Sequence, residues 1–499
     1  LINLTISFNL FLLKLKLKLN WNITRMDSFI FEKCILKNFN HQPTLDQESG
    51  INKLARFVFY TKKKAGLVIK GYAGTGKTTL ISSLVKACNE KKMKIILLAP
   101  TGRAAKVMSN YSQKEASTIH RHIYNVRQKK DGYFFSLGKN KAKNTLFVID
   151  EASMIPGKDF SNNTDMFASS LLSDLITFIY SGEGCKAIFV GDHAQLPPVG
   201  WDTSPALDVQ YLNEMLEADF YQFELQQVVR QAEGSGILNE ATILRNNIEH
   251  EIYNLNISTN IKDVQKLNAY DVEDALESSF CEANLGEAVI ICRSNKRANL
   301  YNKEIRFKIL SYEEQLNSGD LIMAVKNNYF WLGELAESGF IANGDILKTQ
   351  RVYNLQSKYG FTFADIEFTF NDVPSTKIYT CKVNLGSLMI DGPSLPTQSL
   401  RNLFLEIERD NLYINNRKDR KLAVLNSPYY QALQVKFAYA LTCHKAQGGQ
   451  WSTVFLDQGY LPEKSINREL LRWMYTSFTR AVKQLYLLNF SSTFLADDD

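Results

Sequence analysis

Short aliphatic runs punctuate the chain, each followed by a loop and then by apolar residues at helical spacing. The runs are Leu67–Lys70, Ile95–Ala99, Leu146–Ile149, Ala187–Val190, Val289–Cys292, Val454–Asp457 and Leu485–Leu488. Four or five apolar residues bounded by loops fit strands buried on both faces of a parallel sheet. Their alternation with helical segments predicts βαβ units and an α/β class. Four runs precede residue 200 and three follow residue 285, so two parallel-sheet domains are expected, joined by a polar, helical stretch from about 234 to 282. From about residue 348 to 430 the period changes. Phe361–Phe370 and Lys377–Val383 alternate as antiparallel strands do, which predicts a small β-rich insertion in the second domain. Within 124–144, Lys129-Lys130-Asp131-Gly132 between strand-like flanks predicts a β-hairpin inserted in the first domain.

Composition narrows the class without deciding it. Of 499 residues, 45% are apolar and 22% charged, as in globular proteins with buried cores. No apolar stretch reaches the roughly 20 residues that span a bilayer, so no membrane partner is expected. The net charge of +6 includes Lys14, Lys16, Lys18 and Arg25 in a first segment that has no acid. Without residues 1–25 the balance is 54 basic against 52 acidic, or +2, which neither requires nor excludes a nucleic-acid partner. That segment begins with Leu1, precedes Met26, and has its apolar run before its lysines. It reads as non-native or upstream-translated sequence and is set aside from the fold. Seven cysteines stand apart with no CxxC spacing, and Cys88, Cys185, Cys292 and Cys443 lie among apolar neighbours. Buried thiols, no zinc or iron–sulfur site and a reducing, cytoplasmic compartment are expected.

The densest chemical signal is Gly71-Tyr72-Ala73-Gly74-Thr75-Gly76-Lys77-Thr78-Thr79, a G-x-x-x-x-G-K-[ST] loop. It follows the run Leu67–Lys70 and opens a helix whose apolar face is Leu80, Ile81, Leu84, Val85 and Cys88. Gly71, Gly74, Thr75 and Gly76 let backbone N–H groups curl round phosphates at a helix N-terminus. Lys77 then reaches the β- and γ-phosphates of ATP, while Thr78, with Thr79 beside it, offers a hydroxyl to Mg²⁺. The run Leu146–Ile149 ends in Asp150-Glu151. Asp150 suits a Mg²⁺ ligand and Glu151 a base for the attacking water. Adjacent acids at a strand end are also plain surface residues elsewhere; the phosphate loop upstream favours hydrolysis.

Further motifs follow in a fixed order. Gly191-Asp192-His193-Ala194-Gln195-Leu196-Pro197-Pro198-Val199 closes an apolar run and, with the loop and acid pair, resembles the third signature of superfamily 1 helicases. Ala99-Pro100-Thr101-Gly102-Arg103-Ala104-Ala105 and Ala116-Ser117-Thr118-Ile119-His120 look like its nucleic-acid motifs. Leu225–Gln231 resembles the fourth, Tyr439–Gly448 the fifth and Tyr475–Ala481 the sixth. Thr118-Ile119-His120, Asn343-Gly344-Asp345 and His444-Lys445-Ala446-Gln447-Gly448 are most similar to the RecD-like and Dda-like branch. The resemblance spans about Phe39 to Leu488.

It implies two RecA-like domains that sandwich ATP, at 26–245 and at 246–347 with 431–499. It also implies a strand-separating pin at 124–144 and an SH3-like β insertion at 348–430. Gln195 would sense the γ-phosphate, Arg230 and Arg480 would act as arginine fingers, and Gln47 stands where the family reads adenine. Val229 replaces a tyrosine that often stacks on adenine, and Gln450 replaces a common acid, so base selectivity is the open point. Pro100, Thr101, Arg103, Thr118, His120, Thr442 and His444 occupy positions suited to a single DNA strand. Tyr133, Phe134 and Phe135 at the hairpin centre read either as a stack for the last base pair or as core. The implied activity is a largely monomeric, ATP-dependent DNA helicase moving 5′→3′ on single-stranded or forked DNA. It would work in repair, recombination or replication, with proteins of those processes as partners. The alternatives are a translocase that does not separate strands and a nucleotide-gated DNA-binding switch.

Overall fold

The computed structural model describes residues 26–496 apart from 63, 130–131, 158–169, 217, 230–233, 260, 282–283, 333–339, 372–376 and 462–465. All seven aliphatic runs lie within strands. In the first sheet the spatial order is Ala116–Thr118, Lys94–Ala99, Thr145–Ile149, Lys186–Gly191, Ala65–Gly71 and Asp219–Leu225. Every pairing in it is parallel. The two outer strands are those the aliphatic search passes over. Ala116–Thr118 is three residues long, and Asp219–Leu225 buries Phe220 in the core on one face of the sheet and Phe223 and Leu225 in the core on the other, with polar residues between them.

The second sheet is likewise parallel, in the order Ala440–Thr442, Ala288–Cys292, Trp451–Asp457, Ala481–Leu488 and Val264–Lys266. The chain is therefore a two-domain α/β protein. Cys88, Cys185, Cys292 and Cys443 are all buried free thiols. No helix among the described residues is long and apolar enough to cross a membrane.

Leu321–Ala324, Ile346–Lys358, Phe361–Phe370, Tyr379–Asn384 and Leu433–Phe437 close into a small barrel. Its strands come from both sides of 348–430, and that stretch also carries the helices Thr397–Asp410 and Arg417–Leu425. Leu403, Ile407 and Val424 of those helices pack on Phe363 of the barrel. Barrel and second sheet share one core, from Ile290 and Leu456 to Ile322, Ile366 and Val435. Fully buried Asp320 pins the junction, accepting from Arg306 Nε and one terminal nitrogen at 2.9 Å each and from the Tyr439 hydroxyl at 2.9 Å.

Tyr124–Lys129 and Gly132–Leu137 form an antiparallel hairpin after the short helix Ile119–Ile123, with Gln128 opposite Tyr133 and Val126 opposite Phe135. The side chains of Tyr133, Phe134 and Phe135 lie outside the described residues.

Candidate nucleotide and nucleic-acid site

The strand Ala65–Gly71 runs through a loop into the helix Lys77–Glu90. Two left-handed residues make that turn, Gly74 at φ 75° and Gly76 at φ 84°. Gly76 is doubly constrained, because a Cβ there would lie 2.4 Å from Gln47 Nε2. Gln47 is buried and both ends of its amide are engaged. Its Nε2 donates to Thr75 O at 2.9 Å, and its Oε1 accepts from Thr44 N at 3.0 Å in a capping box. The residue expected to read adenine thus braces the loop from behind. Thr75 is buried, with its hydroxyl on Tyr72 O at 2.8 Å. Lys77 Nζ donates to Gly71 O and Tyr72 O at 2.5 and 2.8 Å, which keeps the ammonium over the loop. Thr78 is exposed in the helix's first turn and Thr79 half-buried behind it.

Two strands away, Thr145–Ile149 delivers Asp150 and Glu151. Asp150 accepts from the Tyr111 hydroxyl at 2.6 Å and from the Glu151 amide at 2.8 Å. Glu151 sits at φ 50°, a left-handed conformation that glutamate adopts at a cost. Burial pushes both carboxyls above their usual range. Against that, Arg480 and Lys77 draw Glu151 back down, whereas Asp150 and Asp192 push it further up. Those charges come from four motifs, so the sequence-separated residues share one electrostatic site. Gln195 is buried and its Oε1 has no hydrogen-bond partner among the described residues. An orphaned acceptor of this kind fits a site built around a ligand.

A helix and loops of the second domain close over this face. Gln447 Nε2 donates to Leu196 O at 2.7 Å, and Leu196 N donates to Thr476 Oγ1 at 2.9 Å. Arg480 is buried, with its guanidinium on Thr476 O, Gly449 O and Thr479 Oγ1 at 3.0 to 3.3 Å. Val229 N donates to Gly74 O at 3.0 Å, bringing the fourth motif onto the loop, but Arg230 itself lies outside the described residues. Tyr72 carries Arg245 over its ring at 4.4 Å, and its hydroxyl bonds His193 Nε2 at 2.9 Å and Glu249. His193, Glu224 and Glu249 bring their ligand atoms within 4.8 Å of one another, and the Tyr72 hydroxyl already ties two of them together.

The candidate strand-binding residues gather at the strand ends. Ala99 pairs with Thr118, placing Pro100 and Thr101 beside Thr118 and His120. Thr101 caps the helix Gly102–Ser112 and Thr118 caps Ile119–Ile123 through side-chain oxygens. His120 packs against Tyr124 at 5.9 Å, and burial lowers its pKa. Thr442 ends the strand Ala440–Thr442, and His444 is exposed just beyond. The two domains approach closely here: a Cβ on Gly448 would lie 3.2 Å from Thr101 Oγ1, and one on Gly102 would collide with Asp345. Arg103 is turned toward the second domain. It stacks on Trp451 and donates to Gln450 O at 2.9 Å.

Tyr111, Gln447, Tyr475 and Thr476 were missed as site residues. The last three lie inside quoted motifs, so ordered motif membership was the available signal; nothing in the sequence ties Tyr111 to Asp150.

Residues 55–266 match the model of an AAA domain, and residues 437–488 match that of a UvrD-like helicase C-terminal domain. The RecBCD enzyme subunit RecD of Buchnera aphidicola subsp. Schizaphis graminum is 26% identical, over 95% of this chain and 80% of the relative. The ATP-dependent DNA helicase dda of Enterobacteria phage T4 is 30% identical, over 56% of this chain and 60% of the relative. Among solved structures, the Pif1 helicase from Candida albicans covers 91% of this chain with 96% of its own. It shares 16% identity, at a TM-score of 0.43.

Proposed function

The chain is a superfamily 1 P-loop helicase of the RecD-like kind and an ATP-dependent DNA helicase, and from that premise we propose how its cleft works and which strand it follows. ATP lies along Gly71–Thr79, with Lys77 on the β- and γ-phosphates and Gln195 on the γ-phosphate. Thr78 and Asp150 are hard oxygen donors suited to Mg²⁺, which when bound neutralises phosphate charge. Glu151 takes the proton of the attacking water, and burial raises its pKa, which strengthens it as a base. Arg480 and Arg230 answer the charge that develops in the transition state. Gln47 acts through the loop it braces as well as on the base.

The observation that carries this reading is the meeting of Lys77, Asp150, Asp192 and Arg480 around Glu151, since Arg480 comes from the second domain. A site completed only by both domains makes hydrolysis depend on their closure. Pro100, Thr101, Thr118 and His120 grip the strand from one domain, and Thr442 and His444 from the other. Alternating grips convert closure into a step along single-stranded DNA, 5′→3′ by family resemblance. The hairpin at 124–144 serves as the pin that splits forked DNA, and the barrel as an SH3-like insertion. Arg103 serves as a clasp between the domains beside the strand.

ATP-dependent unwinding of duplexes bearing a 5′ or a 3′ single-stranded tail, with Lys77→Ala as control, tests the reading. Opening of the 5′-tailed duplex alone, lost in Lys77→Ala, is expected. Opening of the 3′-tailed duplex reverses the direction, and activity that survives Lys77→Ala removes the site. A translocase would hydrolyse ATP on single strands and open neither duplex.

A further inference from the structure

The hydroxyl of Tyr475 is used twice. It donates to Asp192 Oδ2 at 2.5 Å and accepts from the amide of Ala73 at 2.9 Å. Tyr475 is 1% exposed and Asp192 0%, so neither bond can be exchanged for one to water. Ala73 belongs to the phosphate loop, while Asp192 opens the loop that carries Gln195. The other oxygen of Asp192 accepts from Ala194 N at 3.0 Å, fixing the backbone immediately before Gln195. Tyr475 itself stands in the helix Arg468–Phe478 of the second domain, five residues before Arg480. One side chain from the far side of the cleft therefore joins the two first-domain loops that carry Lys77 and Gln195.

The bonds are also of unequal kind. The contact with Asp192 is charge-assisted and buried, where such bonds are strongest and most costly to leave unmade. Burial and proximity to Asp192 hold the phenol well above its usual pKa, so it stays a donor. Thr476, the next residue, accepts from Leu196 N, so the same helical turn fixes Gln195 from both sides. Withdrawal of this helix would break the Ala73 and Asp192 bonds together.

We propose that Tyr475 is a positioning residue for hydrolysis, whose hydroxyl sets the phosphate loop and the Gln195 loop in register only when the two domains are closed. The proposal rests on the helicase reading above and adds to it the element that makes the chemistry conditional on closure. Tyr475→Phe removes the hydroxyl and keeps the ring. In steady-state, single-strand-stimulated ATPase assays, its kcat is expected to fall about tenfold, the cost of one charge-assisted bond. Its KM for ATP should move less than about twofold, because binding contacts of the loop remain. Asp192→Asn should show the same split, and the double variant should be no slower than the slower single variant. If Tyr475→Phe does not fold, by circular dichroism melting, Asp192→Asn alone carries the kcat and KM comparison. An unchanged kcat, a raised KM with kcat intact, or losses that multiply in the double variant would each overturn the proposal. A wild-type chain without stimulated ATPase would instead remove the helicase reading before either variant is compared.

Discussion

The guanidinium carbon of Arg103 lies 3.7 Å from the centre of the Trp451 ring, and the same side chain reaches the Gln450 carbonyl. Arg103 belongs to the first turn of the helix Gly102–Ser112, where the helix dipole disfavours a cation. Trp451 starts a central strand of the second sheet and is 3% exposed. The pair therefore joins the first strand-binding motif to the turn after the fifth.

Arg103→Ala is accordingly expected to destabilise the folded chain by about 1–2 kcal/mol, the worth of a desolvated cation–π contact. Unwinding should fall with it. Lysine cannot stack its charge in this planar way, so Arg103→Lys should recover little. Anisotropy of labelled single-stranded DNA across a salt series separates clasp from phosphate contact. The slope of log affinity against log salt should not change; a drop of about 0.7 would assign Arg103 to a phosphate instead.

Which parts of this were legible in the sequence follows from how local each is. The loop Gly71–Thr79 and the pair Asp150–Glu151 depend on strand–loop–helix geometry within a few residues, so their spacing carries them. The aliphatic strands follow from burial on both faces. Asp219–Leu225 is hidden because polar residues interrupt Phe220, Phe223 and Leu225, so no aliphatic run forms, and the helices Thr397–Asp410 and Arg417–Leu425 because they follow strands whose alternation dominates that stretch. Tyr111 on Asp150, Gln47 on Thr75 and Tyr475 on Asp192 join residues 28 to 283 positions apart. Pairing at that range is set by packing of whole elements, and no local pattern encodes it.

The acid limb of the ATPase profile should lie on the alkaline side of an ordinary glutamate, near pH 4.3. Glu151 must lose its proton to act as a base, and burial holds its pKa above the usual value. Activity therefore falls as pH drops through that raised value. The stability sign is opposite. A carboxyl with a raised folded pKa contributes stability that is complete below the unfolded pKa and is lost as pH rises through the folded one. Glu151→Gln should abolish turnover, still bind ATP, and melt at a higher temperature than wild type at pH 7. A variant that melts lower would contradict the assigned burial of charge.

Replacing Tyr133, Phe134 and Phe135 together by Ala separates helicase from translocase. With the hairpin as a pin, duplex opening should drop more than about tenfold while ATPase stimulated by single strands stays within about twofold, because the pin stacks on bases and does not touch the nucleotide. Unwinding at the wild-type rate would free the hairpin from that role.

Lys445 offers the last test, one residue after His444, which is proposed to touch the strand. Its ammonium nitrogen is buried with no hydrogen-bond partner among the described residues. Burial, with the charge of Lys436, brings its pKa down to about 8. An unpaired buried cation costs stability, and a phosphate placed beside it would recover that cost and raise the pKa. Because the fold prefers the neutral amine, Lys445 weakens the free protein below about pH 8, and the loss fades as pH rises toward the ordinary lysine value. DNA prefers the charged form, so affinity should fall between pH 7 and 9. Lys445→Met should melt higher at pH 7 than wild type. It should also bind single strands more weakly there, with a salt slope smaller by about 0.7 and little dependence on pH over that interval. Binding by Lys445→Met that keeps the wild-type slope and pH dependence would place this lysine away from the strand.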